Sequence, residues 1–380
     1  MVLLLLLLVP VLIGLAGLLA SKGSKITVKE FAVLEGVVIV VVVAGYLLAL
    51  SSRSSDTEIW NGTIARKWQG TESCCHSYPC NCHEVCSGSG KDRSCSELCD
   101  TCYEHSHDID WNAISTNNET VYYDGCNRPG SSAPGRWNQI VVGEPTAVEH
   151  SYTNYIKGNP DSILRRQGYA EKFKGKIPGY PQVYDHYRDD TFLPIGVSVP
   201  DRKWVSDALS ALNGLFGTAK QVNIILVAVD VGDPSYAEAL RESWLGGKKN
   251  DVVVVVGMPH FPEIGWASVI SWSKSEDMKI EIRDRLLALK NWDCCSVVGV
   301  LQQEVGNRFV RRRWKDFDYL KSTIEPTESM QWTLGLLGLL LSLGLSVYFW
   351  IYDPFNSVPL PRMGRAFRPP TDNLSSRRFR

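Results

Sequence analysis

The sequence predicts an α/β protein: a helix-flanked mixed β-sheet domain, preceded by a small Cys-rich module and tethered by three transmembrane helices. Three observations carry this. Three apolar stretches, Met1–Ala20, Phe31–Leu50 and Thr333–Tyr352, frame a polar middle. Most of the 11 cysteines crowd between Cys74 and Cys102. From Phe192 onward β-branched runs alternate with segments of helical periodicity, the pattern of helices laid over a sheet.

Each apolar stretch holds about 20 residues, enough to cross a hydrocarbon core as a helix. The first lacks the charged leader of a signal peptide and is read as a retained span. Glu35, near the start of the second, is expected to reach headgroups or pair with Lys29. Lys22, Lys25 and Lys29 lie between the first two spans, and Arg362, Arg365, Arg368, Arg377, Arg378 and Arg380 follow the third. Positive loops stay in the cytoplasm. The body, Ser51 to Gln331, is therefore expected outside it (periplasmic, lumenal or extracellular), with the N-terminus on the same side. The proline- and arginine-rich tail is expected to stay disordered and contact anionic lipid. The net charge of -1 argues against nucleic acid as a partner. Lipid and a membrane or envelope protein are the partners expected.

The expected organisation is a first span at 1–20, a second at 31–50, a Cys-rich extracytosolic module at 51–130, an irregular bridge at 131–194, the α/β domain at 195–325, a third span at 333–352 and the basic tail at 353–380. In the module, two chemistries fit. Cys82 and Cys86 are four apart, as are Cys95 and Cys99, on either side of a Ser87–Gly90 turn. Two short antiparallel helices would set Cys82 against Cys99 and Cys86 against Cys95 as disulfides, which an oxidising compartment favours. Alternatively, Cys82, Cys86, Cys99, Cys102 and His105 offer ligands for Zn²⁺, with Cys99 and Cys102 as a knuckle. Asn61-Gly-Thr and Asn118-Glu-Thr fit the glycosylation pattern.

Val121–Tyr123 at the end of the module and Gln139–Val142 in the bridge read as short strands, and Asp161-Ser162 as a helix cap. Beyond it, Ile195–Val199 reads as a strand, Trp204–Phe216 as an amphipathic helix and Val222–Val229 as a buried strand. Ser235–Leu245 follows as a helix, then Val252–Val256 and Gly265–Ser273 as strands, and Met278–Leu289 and Val305–Phe317 as helices. This domain is expected to fold without the Cys-rich module, with Trp244 in its core.

The succession of Ile224–Val229 (IILVAV), Ser235–Trp244 (SYAEALRESW) and Leu245–Gly257 (LGGKKNDVVVVVG) resembles the TPM domain family of thylakoid-lumen and bacterial envelope proteins. The resemblance covers about Pro200 to Leu320, and it departs from the family in the Cys-rich module and bridge placed ahead of it. It implies a helix-flanked sheet and roles from binding within membrane complexes to weak phosphatase activity, sometimes with a divalent cation. Asp230, Asp233, Asn250 and Asp251 would be the oxygen ligands for Ca²⁺, or else a helix cap and a turn. No nucleophile–base motif and no phosphate-binding Gly-Lys-Ser is present. The function expected is a membrane-tethered extracytosolic binding or assembly module needing no cofactor, with a metal-dependent phosphatase as the alternative.

Overall fold

A computed structural model describes residues 2–20, 26–87, 94–159, 162, 164, 168–184, 188–352 and 354. From the N-terminus, helices α1 (Val2–Ala20) and α2 (Val28–Ser54) precede strands β1 (Ser55–Glu72), β2 (Ser77–Ser87), β3 (Ser94–Tyr103), β4 (Asp108–Ser115) and β5 (Thr120–Asn127). Helix α3 (Gly135–Gln139), strand β6 (Pro145–Thr153), helices α4 (Tyr155–Gly158) and α5 (Tyr169–Lys172), and strands β7 (Val183–Tyr184), β8 (Arg188–Asp189) and β9 (Phe192–Ile195) follow. Then come α6 (Arg202–Lys220), β10 (Asn223–Val229), α7 (Ser235–Ser243), β11 (Asp251–Gly257), β12 (Trp266–Ser271), α8 (Glu276–Leu289), α9 (Cys294–Arg308), a 3-10 helix (Trp314–Thr323) and α10 (Glu328–Tyr352). The chain divides into two units, Met1–Ser52 with Pro326–Arg380, and Arg53–Glu325.

In the first unit, α1, α2 and α10 are each long and apolar enough to cross a membrane. Helix α2 starts before Phe31 because Thr27 and Glu30 form a capping box: the Thr27 amide donates to Glu30 Oε2 at 2.7 Å and the Glu30 amide to Thr27 Oγ1 at 3.4 Å. Gly338 lets α10 approach Pro10 of α1, and the Ser342 hydroxyl donates to the Pro10 carbonyl at 3.1 Å. Glu35 does not reach outward to Lys29 or headgroups. It is buried against Gly14, where a side chain would collide with it, and neither of its carboxylate oxygens has a hydrogen-bond partner.

The second unit holds two four-stranded sheets. The first, ordered β5-β4-β1-β6, is antiparallel. The long β1 spans it: Ser55–Thr63 pairs with β6, and the stretch from Ile64 to Glu72 with β4. The second, ordered β12-β11-β10-β9, is mixed, since β10 runs parallel to β9 and β11 while β12 is antiparallel. Its valine-rich strands are buried on both faces, as parallel strands under helices require. Ile224, Leu226, Ala228, Val252, Val254 and Val256 pack in one core with residues of α6, α8 and α9. Ile225, Val227, Val229, Val253 and Val255 face the other way, toward Tyr236 and Leu240 of α7.

The expected boundaries at 130/131 and 194/195 cut through these sheets. Strand β6, inside the supposed bridge, completes the first sheet, and β9 belongs to the second. Phe173, Ile177 and Tyr180 pack on the α7 face of the second sheet, as does the buried Trp244, whose indole donates to the Pro178 carbonyl at 3.0 Å. On the opposite face, α6 lies against β1, with Gly214 and Gly217 facing the Asn61–Gly62 backbone. The α/β domain thus packs against β1 on one face and against the segment from Phe173 to Tyr180 on the other. Gln139–Val142 forms no strand. Helix α9 stops at Arg308 rather than running to Phe317, because Val310 is held extended by the Ser273 hydroxyl, which donates to the Val310 carbonyl at 3.0 Å, and by the Lys274 amide, also at 3.0 Å. Lys22 and Lys25, the Ser87–Gly90 turn from Gly88 onward, Asp161 of the Asp161-Ser162 cap and the arginines of the tail lie outside the described residues.

Candidate functional site

The four oxygen ligands proposed for Ca²⁺ do not meet. Strands β10 and β11 are parallel and in register, Asn223 opposite Asp251 and Val229 opposite Gly257. Asp230 and Asp233 follow the last of these pairs, whereas Asn250 and Asp251 stand at the first. At about 3.3 Å per residue the two ends lie about 20 Å apart. The Asp230/Asp251 edge required for a phosphatase site is therefore two edges.

At the Asp230 edge, Lys172, Lys174, Lys176, Asp230 and Asp233 line an open cleft of about 450 Å³. Lys176 pairs with Asp230 at 3.6 Å and Lys172 pairs with Asp233. The Lys172 hydrogen bond, then those of Ser235, bring the Asp233 carboxyl down to about 2. With lysines already on both carboxylates, this edge lacks the six or more oxygens a calcium ion takes.

The Asp251 edge is a packing junction. Asp251 is buried and accepts from the Tyr180 hydroxyl at 3.0 Å, the Asn223 side chain at 3.0 Å and the Lys248 amide at 2.6 Å. The Asn250 side chain donates to the Ile59 carbonyl at 2.7 Å, so it faces β1 rather than an ion. Asp56 of β1 receives Lys157 and Lys248. Glu58, also on β1 and fully buried, receives Lys249 at 3.1 Å and Arg311 at 2.7 Å. The Lys248–Asp251 turn thus joins the second sheet to the first. Asn61 is buried here too, donating to Asn223 at 2.9 Å, which closes the first glycosylation pattern; Asn118 is exposed.

The cysteine segment is a β-hairpin of β2 and β3, not a pair of helices. Four pairs stand at disulfide distance: Cys75–Cys126, Cys80–Cys102, Cys82–Cys99 and Cys86–Cys95. This engages Cys82, Cys86, Cys99 and Cys102, so the zinc set drawn from the sequence has no free thiolate. The hairpin strands are solvent-exposed along their length, with Tyr78, Val85, Leu98 and Tyr103 43–58% accessible.

At the root of the hairpin, a different set converges. Cys74 and His76 lie between β1 and β2, His105 lies between β3 and β4, and Asp108 opens β4 opposite Glu72 of β1. The Glu104 amide donates to the His76 carbonyl at 3.0 Å and closes the root. Asp108 is fully buried. Its Oδ2 accepts from the Cys75 amide at 2.7 Å and lies 3.2 Å from His76 Nδ1, and its Oδ1 contacts His105 Nε2. Burial alone would raise this carboxyl, but the Cys75 amide and the His105 hydrogen bond bring it down to about 2. The Cys74 thiol is free and buried, 3.6 Å from the His76 carbonyl. One donor atom from each of Cys74, His76, His105 and Asp108 lies within 4.8 Å of every other. Of these four, sequence spacing singled out only His105. The available signal was a Cys-x-His and a His-x-x-Asp flanking a hairpin, with one of the nine cysteines between Cys74 and Cys126 left over from pairing.

No protein-family model matches the chain, and no curated protein and no solved structure matches it.

Proposed function

We propose that this chain is a membrane-tethered binding or assembly module, with a TPM-like body held on the extracytosolic face and the cysteine hairpin as its recognition element. The observation that carries the reading is the hairpin: a segment stapled by three internal cysteine pairs, with apolar and aromatic side chains in solvent on both strands. Stiffening a segment in advance lowers the entropy lost on binding. A membrane or envelope protein is the partner this favours. The separation of Asp230 from Asp251 counts against the phosphatase alternative.

The test uses the full chain in its native membrane. A photo-crosslinking residue at Tyr78 should give a discrete protein adduct, lost when the exposed Val85 and Leu98 are both replaced by aspartate. Loss of adducts from the hairpin positions alongside cation-dependent phosphatase turnover that Asp230→Asn abolishes would establish the hydrolase instead. For orientation, the exposed thiol of Cys295 should react with an impermeant maleimide on intact cells. Reaction only after permeabilisation would place the body in the cytoplasm.

A further inference from the structure

We propose that Cys74, His76, His105 and Asp108 bind one Zn²⁺ in a closed tetrahedral site that pins the root of the cysteine hairpin to the β1/β4 pair. The proposal does not rest on the binding function above.

The argument begins with the thiol. In an oxidising compartment a leftover cysteine calls for a reason. Its sequence neighbour Cys75 pairs with Cys126, and the hairpin cysteines pair among themselves, while Cys74 is left buried as a thiol. It is buried beside two imidazoles and a carboxylate. Zinc bonds of about 2.0–2.3 Å place tetrahedral ligand atoms roughly 3.3–3.8 Å apart. The His76 Nδ1 to Asp108 Oδ1 distance of 3.3 Å falls at that edge, and the donor atoms of all four residues stay within 4.8 Å of one another.

The ligand types choose the ion. One thiolate and two imidazoles suit zinc and disfavour magnesium or calcium, which take oxygen. Four protein ligands leave no open position, so the site is structural rather than catalytic. The outer partner that zinc carboxylates usually keep is present too: the Cys75 amide holds Asp108 Oδ2 at 2.7 Å and leaves Oδ1 to turn toward the ion. A chain entering from β1, a chain leaving through β4 and both roots of the hairpin each supply a ligand, so one ion fixes the hairpin's direction. The disulfides inside the hairpin cannot do this, because they join only its own strands.

Full-length protein purified in detergent should hold one zinc per chain by elemental analysis. Replacement by Co²⁺ should give the visible absorption of tetrahedral cobalt together with a thiolate charge-transfer band, and Cys74→Ser should remove that band. His105→Ala and Asp108→Asn should lower zinc affinity by more than the about 10–100-fold that losing an outer-shell partner costs, with the disulfide peptides unchanged. If these variants fail to fold, the wild-type chain still decides: Cys74 should resist alkylation when loaded and react after chelation. Zinc far below one per chain even after reconstitution, cobalt without the thiolate band, or alkylation of Cys74 indifferent to chelation would each overturn the site. Zinc retained in full by Cys74→Ser and His105→Ala would do the same, as would another metal bound there in preference to zinc.

Discussion

The Tyr180 hydroxyl lies 3.0 Å from both carboxylate oxygens of Asp251, at the buried first residue of β11. Burial pushes the Asp251 carboxyl up to about 7, against the opposing pull of the Lys248 amide, Asn223, Tyr180 and the Lys248 charge. Above its ordinary value of 3.8 the unfolded chain gives up this proton while the folded chain keeps it. The folded state then binds more protons, so Asp251 makes stability fall as pH rises from about 4 to about 7 and adds no further slope beyond. Asp251→Asn removes that contribution. Denaturation curves of wild type and variant should differ by an amount that changes on the order of 4 kcal/mol across this window. Parallel pH profiles would contradict the assignment.

Gly217 of α6 meets the Asn61 carbonyl of β1 with no room for a Cβ. Alanine normally stabilises a helix interior over glycine by about 0.8–1 kcal/mol. Here the sign should invert: Gly217→Ala should destabilise the body by about 1–3 kcal/mol, as overpacking does. Gly299 of α9 has open space around it and serves as the control, where alanine should stabilise. Thermal unfolding of the two single variants tests the pair.

Glu58 sits fully buried between Lys249 and Arg311 and accepts the Trp60 indole at 2.8 Å. Glu58→Ala should cost about 3–5 kcal/mol, because it strands buried positive charge. Combining Glu58→Gln with Arg311→Met should cost less than the two changes added together. Additive losses in chemical denaturation would show that the two residues do not share an environment.

Non-reduced peptide mapping should recover Cys75–Cys126, Cys80–Cys102, Cys82–Cys99 and Cys86–Cys95. Each bridge should stabilise by about 2–4 kcal/mol. Reduction should expose residues 77–103 to protease before the two four-stranded sheets, since three of the bridges lie within the hairpin and only Cys75–Cys126 ends in a sheet, on the edge strand β5. A different pairing would displace the hairpin register.

Much of this was legible, and what was not has physical causes. The apolar helices announce themselves by their length and hydropathy, and the valine runs because burial on both faces leaves no polar position to confuse the period. Cys82–Cys99 and Cys86–Cys95 are arranged about a common midpoint, so antiparallel pairing was readable from spacing. The choice of helices was not, because residues four apart share one face of a helix and also one face of a strand. The Ca²⁺ set failed because closeness in sequence across a β-α-β connection says nothing of closeness in space: parallel strands send the end of one and the start of the next to opposite edges. The convergence of Cys74 and His76 with His105 and Asp108 depends on the β1/β4 register, which no local pattern reveals. The polar junction was hidden for a similar reason, since Lys248 and Asn250 find their partners Asp56 and Ile59 192 and 191 residues away.

The placement of Glu58 also sets a clock on synthesis. It is the fourth residue of β1, yet its contact with Arg311 spans 253 residues. A growing chain therefore carries β1 with its carboxylate held first by the Trp60 indole and then by Lys249, and gains the Arg311 partner only when almost all of the body has been made, a short segment before α10 begins at Glu328. Arrival of the last partner of Glu58 and delivery of the last apolar helix are thus close together along the chain, and a nascent chain halted before Arg311 would already hold every described strand of both sheets, linked through Lys248, Asn250 and Asn61, with Glu58 still short of its second cation.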